Sequence, residues 1–92
     1  MKQFIVVAYD IADDRRRRKI SKLLEQYGLR CNESVFECIL TESNILKMKK
    51  RMLKLVDEEV DSILYYYLCK SCVMNRESIG IRPSFQPEIV MV

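Results

Sequence analysis

An uninterrupted apolar run, Phe4-Ile5-Val6-Val7-Ala8, lies near the N-terminus and gives way to Tyr9-Asp10. A strand without polar alternation needs cover on both faces, so Gln3 to Tyr9 reads as a central strand of a sheet. At 92 residues the chain holds one core, because two would each fall below independent stability. Hydrophobic residues at 49% beside charged residues at 32% place it among folded rather than disordered chains. The apolar run is too short for a signal-peptide core, and no small-residue cleavage site follows it. No stretch is long enough to span a bilayer. The expectation is a cytoplasmic protein without membrane contact.

The periodicity then changes. Asp13-Asp14 supply an N-cap and first-turn acids. Ile20, Leu23, Leu24 and Tyr27 recur at i, i+3, i+4 and i+7, predicting an amphipathic helix closed by Gly28. Leu29 to Leu40 reads as extended, with Phe36, Cys38 and Leu40 alternating against Val35, Glu37 and Ile39. A kink or tight hairpin is expected near Asn32 to Ser34. Thr41 or Ser43 can cap a second helix that turns Ile45, Met48, Met52 and Leu55 inward. Ser62 to Leu68 is a further strand, Cys69 to Arg76 a turn or short helix, and Ser78 to Arg82 a short strand. Pro83 to Pro87 reads as a linker, and Glu88 to Val92 as a β-type tail. The chain thus divides into a domain over 1–82 and a tail over 83–92.

This order is βαββαβ, an α/β (α+β) ferredoxin-like sandwich with an extra C-terminal strand and two helices on one sheet face. The other face is left apolar, with Tyr65, Tyr67 and Phe36 as candidates for it. Such a face requires a partner, and a homodimer supplies one most simply.

The charges are segregated. Lys and Arg number 16 against 13 Asp and Glu, a net charge of +3. The first helix carries Arg15, Arg18, Lys19 and Lys22 along one stripe, within a run that also holds Arg16 and Arg17. The second carries Lys47, Lys50, Arg51 and Lys54. Few acids interleave these stripes, unlike most solvated helix faces, so they read as a phosphate-contacting surface. With about six cations engaged per dimer, affinity would fall with salt at a log–log slope of about −5. No base-reading motif is present, so contact is to backbone and shape.

Histidine is absent, which excludes serine–histidine and cysteine–histidine catalysis. Asp10, at the end of the first strand and before a helix N-terminus, can hold a divalent metal. Magnesium takes only one or two protein carboxylates and fills its shell with water and phosphate oxygens. One Asp per protomer, paired across a two-fold axis, would suffice; the alternative is a helix cap or an ion pair to Arg15 or Arg17. Cys69-x-x-Cys72 has zinc-ligand spacing but lacks two further ligands nearby, and as a thioredoxin-like motif, which should open a helix after a strand, it fits only loosely. Reduced thiols are the simpler reading of all four cysteines. The three consecutive tyrosines, Tyr65 to Tyr67, alternate across a strand and serve packing before base stacking.

Val6-Val7-Ala8-Tyr9-Asp10-Ile11 with Asp13-Asp14-Arg15-Arg16-Arg17, then Tyr27-Gly28-Leu29-Arg30 and Ser34-Val35-Phe36-Glu37, resembles the small CRISPR-associated adaptation protein family. Asp61-Ser62, Leu68-Cys69-x-x-Cys72 and Glu88-Ile89-Val90-Met91 are similar to its second half. The resemblance implies an obligate homodimer joined through the sheet faces, with the last strand extending the partner's sheet. It implies a spacer-acquisition protein acting as a magnesium-dependent endonuclease on RNA or duplex DNA. The alternatives are a non-catalytic scaffold that bridges integrase subunits and a toxin-like ribonuclease of the same fold. By position, Asp10 becomes the catalytic metal ligand. Arg15, Arg17 and Lys19 fall at the basic helix start, and Arg30, Ser34 and Phe36 lie in the second signature, where Ser34 and Phe36 would position substrate.

Overall fold

The apolar run forms β1 (Lys2–Asp10), with Ile5 and Val7 wholly buried. The computed structural model describes residues 1–77 and 79–80. After β1 come α1 (Asp14–Glu25), β2 (Gly28–Asn32), β3 (Val35–Thr41), α2 (Glu42–Leu55), β4 (Ser62–Leu68) and a short α3 (Lys70–Met74). The sheet order is β2-β3-β1-β4, with every pairing antiparallel. β1 is therefore central, as its lack of polar alternation requires. No helix among the described residues is long and apolar enough to cross a membrane.

Local chemistry explains where the helices begin. The Asp13 carboxylate accepts from the Arg16 N–H at 2.9 Å and caps α1. Thr41 caps α2, its Oγ1 accepting from the Asn44 N–H at 3.3 Å. Ile20, Leu23 and Leu24 of α1 meet Ile45, Met48 and Met52 of α2 over the β1 and β3 side chains Ile5, Val7, Tyr9, Phe36, Cys38 and Leu40. This is the core, and it lies on one side of the sheet.

The strand register decides which residues share that side. Val7 stands opposite Phe36 on β3 and Tyr65 on β4, and Ile5 opposite Cys38 and Tyr67. Phe36, Tyr65 and Tyr67 therefore face the helices, not the open face expected of them. Lys49 of α2 confirms the side, its Nζ lying 5.0 Å from both the Tyr65 and Tyr67 ring centres. The half-buried Tyr65 phenol is pushed up to about 12, chiefly by burial. The open face instead carries Val6, Ala8, Val35, Ile39, Leu64 and Tyr66, with Leu64 54% and Tyr66 51% exposed. One end of it is covered: Val73 of α3 and Phe4 are both buried, and the Arg76 guanidinium lies 4.7 Å from the Phe4 ring centre. Arg76 also pairs with Glu37 at 3.0 Å.

Gly28 does not close α1 as a left-handed cap. It opens β2 opposite Cys38, and an added Cβ would meet the Glu37 carbonyl oxygen at 2.2 Å and Cys38 Sγ at 2.6 Å. The residue is glycine because β2 and β3 approach too closely there for a side chain. Ile79 and Gly80 are not in a strand, and the rest of the strand expected over 78–82 lies outside the described residues, as do the linker and the tail over 83–92.

Candidate functional site

Two aspartates lie near one another in register where β1 ends and β4 begins, and their surroundings differ. Asp61 precedes Ser62, which pairs with Asp10. The Asp61 side chain is buried and fully used: Oδ1 accepts from the Ala12 N–H at 2.9 Å, and Oδ2 from the Asp57 N–H at 2.9 Å and Arg16 Nε at 2.9 Å. Arg16 Nη2 adds a second bond to Oδ1 at 3.1 Å, completing a bidentate pair. These donors, with the Arg16 hydrogen bond foremost, hold Asp61 well below the usual carboxylate range. Asp61 thus locks the β1–α1 loop to the α2–β4 loop. Its signal in the sequence was indirect: Arg16 is one of the two arginines of the basic run, with Arg17, that fall off the stripe.

Asp10 is the free carboxylate of the pair. It is exposed at the end of β1, and among the described residues no hydrogen bond or ion pair engages its side chain. Neither Arg15 nor Arg17 reaches it. Arg17 bonds Asp14 one turn ahead and donates to the Ile11 carbonyl at 3.0 Å, fixing the loop that follows Asp10. By register Asp10 shares the open face with Ala8 and Leu64, away from the helices. No cluster of three or more metal-ligating side chains forms among the described residues. An unpaired carboxylate is the kind of donor magnesium uses, since water and phosphate oxygens supply the rest of its shell.

The turn between β2 and β3 braces this end of the sheet. The Tyr9 N–H donates to the Ser34 carbonyl at 3.0 Å, and the Tyr9 hydroxyl to the Glu33 carbonyl at 3.0 Å. Arg30 donates to the same Glu33 carbonyl at 2.8 Å, bonds Ser21, and lies 4.9 Å from the Phe36 ring centre. Phe36, expected to position substrate, is completely buried. The exposed group it supports is the Arg30 guanidinium. Ser34 contributes its backbone oxygen to Tyr9.

The two basic stripes converge. Lys19 and Lys22 of α1 face Arg51 and Lys54 of α2 across an open groove of about 440 Å³, floored by Leu23 and Leu55. Arg15, Arg18, Lys19, Lys22, Lys47, Lys50 and Lys54 are exposed and make no ion pair among the described residues. Arg51 is partly engaged, donating to Gln26 Oε1 and the Tyr27 hydroxyl, each at 3.0 Å. Arg17, Arg30 and Arg51 therefore hold local structure as well as charge. The groove lies on the outer side of the helices, and Asp10 on the opposite side of the sheet.

Comparison with known proteins covers most of the chain. A family model described as CRISPR associated protein Cas2 matches residues 1–76. A CRISPR-associated endoribonuclease Cas2 of Synechocystis sp. is 43% identical over 82 residues, covering 89% of each chain. The crystal structure of the hypothetical protein TT1823 from Thermus thermophilus superposes with a TM-score of 0.81 at 37% identity, covering 91% of this chain and 98% of that one. A chain of a partial Cas6-RT-Cas1–Cas2 complex superposes with a TM-score of 0.75 at 27% identity, covering 91% and 98%.

Proposed function

The chain belongs to the CRISPR-associated protein Cas2 family, and on that premise we propose that it is a homodimeric, metal-dependent endonuclease of the spacer-acquisition machinery. The observation that carries this is the contrast between the two neighbouring aspartates. Asp61 is saturated by four donors, whereas Asp10 projects unpaired from the strand end. The naming of the Synechocystis relative as an endoribonuclease supports the same chemistry.

The apolar open face, with Leu64 and Tyr66 half exposed, favours pairing with a second copy. Pairing through that face would bring in a second Asp10 from the same side of the sheet. The two carboxylates would hold one divalent cation, Mg²⁺ in the first instance. When bound, the ion supplies Lewis acidity toward a phosphodiester oxygen and makes water more acidic. Asp10 itself holds negative charge at a fixed strand end. Arg17 keeps the following loop in place through the Ile11 carbonyl.

The groove between the helices supports a second reading, a scaffold that grips duplex backbone and bridges integrase subunits. Its cations lie on the face opposite Asp10, so binding there needs no cleavage. The superposition on a chain of a Cas1–Cas2 complex favours a docking role of this kind. The test is to incubate the protein and Asp10→Asn with labelled single-stranded RNA and duplex DNA, with Mg²⁺ and with chelator. The endonuclease reading expects cleavage that requires both Asp10 and metal, with binding unchanged in the variant. Equal cleavage by both proteins would overturn Asp10 as the metal ligand. Binding without cleavage in either would leave the scaffold.

A further inference from the structure

Four thiols lie in three different environments. Cys38 is buried in the core, and its thiol is pushed up to about 12, mainly by desolvation. Cys31 is half-buried beside Glu37 and is pushed up to about 11, again mainly by desolvation. Neither carries appreciable thiolate at neutral pH. Cys69 and Cys72 are both exposed, at the junction of β4 and α3.

Their sulfurs lie 3.3 Å apart, and the Ser71 hydroxyl lies 3.2 Å from Cys69 Sγ. A disulfide requires an S–S distance near 2.05 Å, so closure asks the two sulfurs to move together by roughly 1.3 Å. Exposed side chains rotating about their own χ angles can cover that distance. We propose that Cys69 and Cys72 form a thiol–disulfide exchange site, with Cys69 the attacking sulfur and Cys72 the resolving one, taking low-molecular-weight disulfides as substrate.

The chemistry is asymmetric in the required sense. Hydrogen bonds from the Ser71 hydroxyl, then from the Cys72 N–H and side chain, lower the Cys69 thiol to about 7. Cys69 in turn raises Cys72, through their side-chain hydrogen bond and its charge, so Cys72 keeps its proton. The Cys69 thiolate attacks one sulfur of a disulfide RSSR, forming a Cys69–S–S–R bond and expelling RS⁻. Cys72 then gives its proton to solvent, its sulfur attacks Cys69 Sγ, and the second RS⁻ leaves. The dithiol is oxidised by two electrons, and RSSR is reduced to two thiols. The product bond ties the end of β4 to the first turn of α3, the helix whose Val73 lies buried over the end of the open face that also holds Phe4.

The site stands apart from Asp10 and from the basic groove, so its test does not depend on cleavage. The reduced full-length protein would be mixed with excess oxidised glutathione, quenched with an alkylating agent at intervals, and mapped by mass spectrometry. The native chain should lose two hydrogens and yield a Cys69–Cys72 linked peptide. Cys72→Ser should stop at one glutathione on Cys69, and Cys69→Ser should react at least about tenfold more slowly than native. Circular dichroism of the two serine variants checks that these exposed positions leave the fold intact. Equal reaction of Cys69→Ser and native, a stable glutathione adduct on the native chain, or a disulfide involving Cys31 or Cys38 would each overturn the proposal.

Discussion

Gly28→Ala probes the closest backbone approach in the sheet. A methyl group at this position meets the Glu37 carbonyl oxygen at 2.2 Å and the Cys38 sulfur at 2.6 Å. Cys38 Sγ can rotate, but the carbonyl is fixed in the β2–β3 ladder. Relief therefore requires β2 to withdraw by roughly 1 Å, which strains the Gly28–Cys38 pairing. Overpacking of this kind costs about 1–3 kcal/mol, and a backbone neighbour puts the cost at the upper end. Replacing glycine also narrows the unfolded ensemble, which offsets about 0.5–1 kcal/mol. The net expectation is a loss of about 2 kcal/mol, or roughly 10 °C in Tm for a domain of this size. Urea titration followed by circular dichroism measures it, with an unchanged slope showing that the cooperative unit is the same. Gly28→Ala combined with Cys38→Ala should recover no more than part of the loss beyond Cys38→Ala alone, because the carbonyl remains. A Gly28→Ala midpoint equal to or above native would refute the steric argument.

Two other consequences are sharp. Asp61 titrates below its ordinary value of 3.8 in the folded chain, so its contribution is complete above that pH and is lost as pH falls below it. Asp61→Asn should therefore lower the urea midpoint at pH 7 and flatten its decline between about pH 5 and pH 2; a variant with the native acid profile would show that Asp61 does not set it. Lys19→Gln, Lys22→Gln and Lys54→Gln together should weaken binding to duplex DNA of any sequence and make the salt slope shallower by about 3 per protomer. Fluorescence anisotropy across a salt series checks this, and an unchanged slope would remove the groove from the interface.

The elements were legible because each rests on local chemistry that the residues carry with them. The Phe4–Ala8 run can only be satisfied in the middle of a sheet, and β1 lies there. Asp13 and Thr41 cap helices because their side-chain oxygens reach orphan N–H groups three residues on. The helical spacing that turned Ile20, Leu23, Leu24, Ile45, Met48 and Met52 inward also left the lysines outside. Asp10 was placed correctly at the strand end for the same reason.

Other features depended on relations between distant segments, which local pattern does not encode. Alternation separates Tyr65 and Tyr67 from Tyr66, but only the register against Val7 and Ile5 says which set meets the helices. Phe36 occupies the same inner side for the same reason, and burial withdraws it from any direct contact with a ligand. Gly28 resembled a helix terminator because its true constraint, the Glu37 carbonyl, belongs to another strand. Arg16 and Asp61 are 45 positions apart, and their pairing arises where the β1–α1 and α2–β4 loops converge. That convergence gives the two aspartates different surroundings. Sequence supplied both carboxylates, while tertiary packing surrounded Asp61 with donors and left Asp10 free.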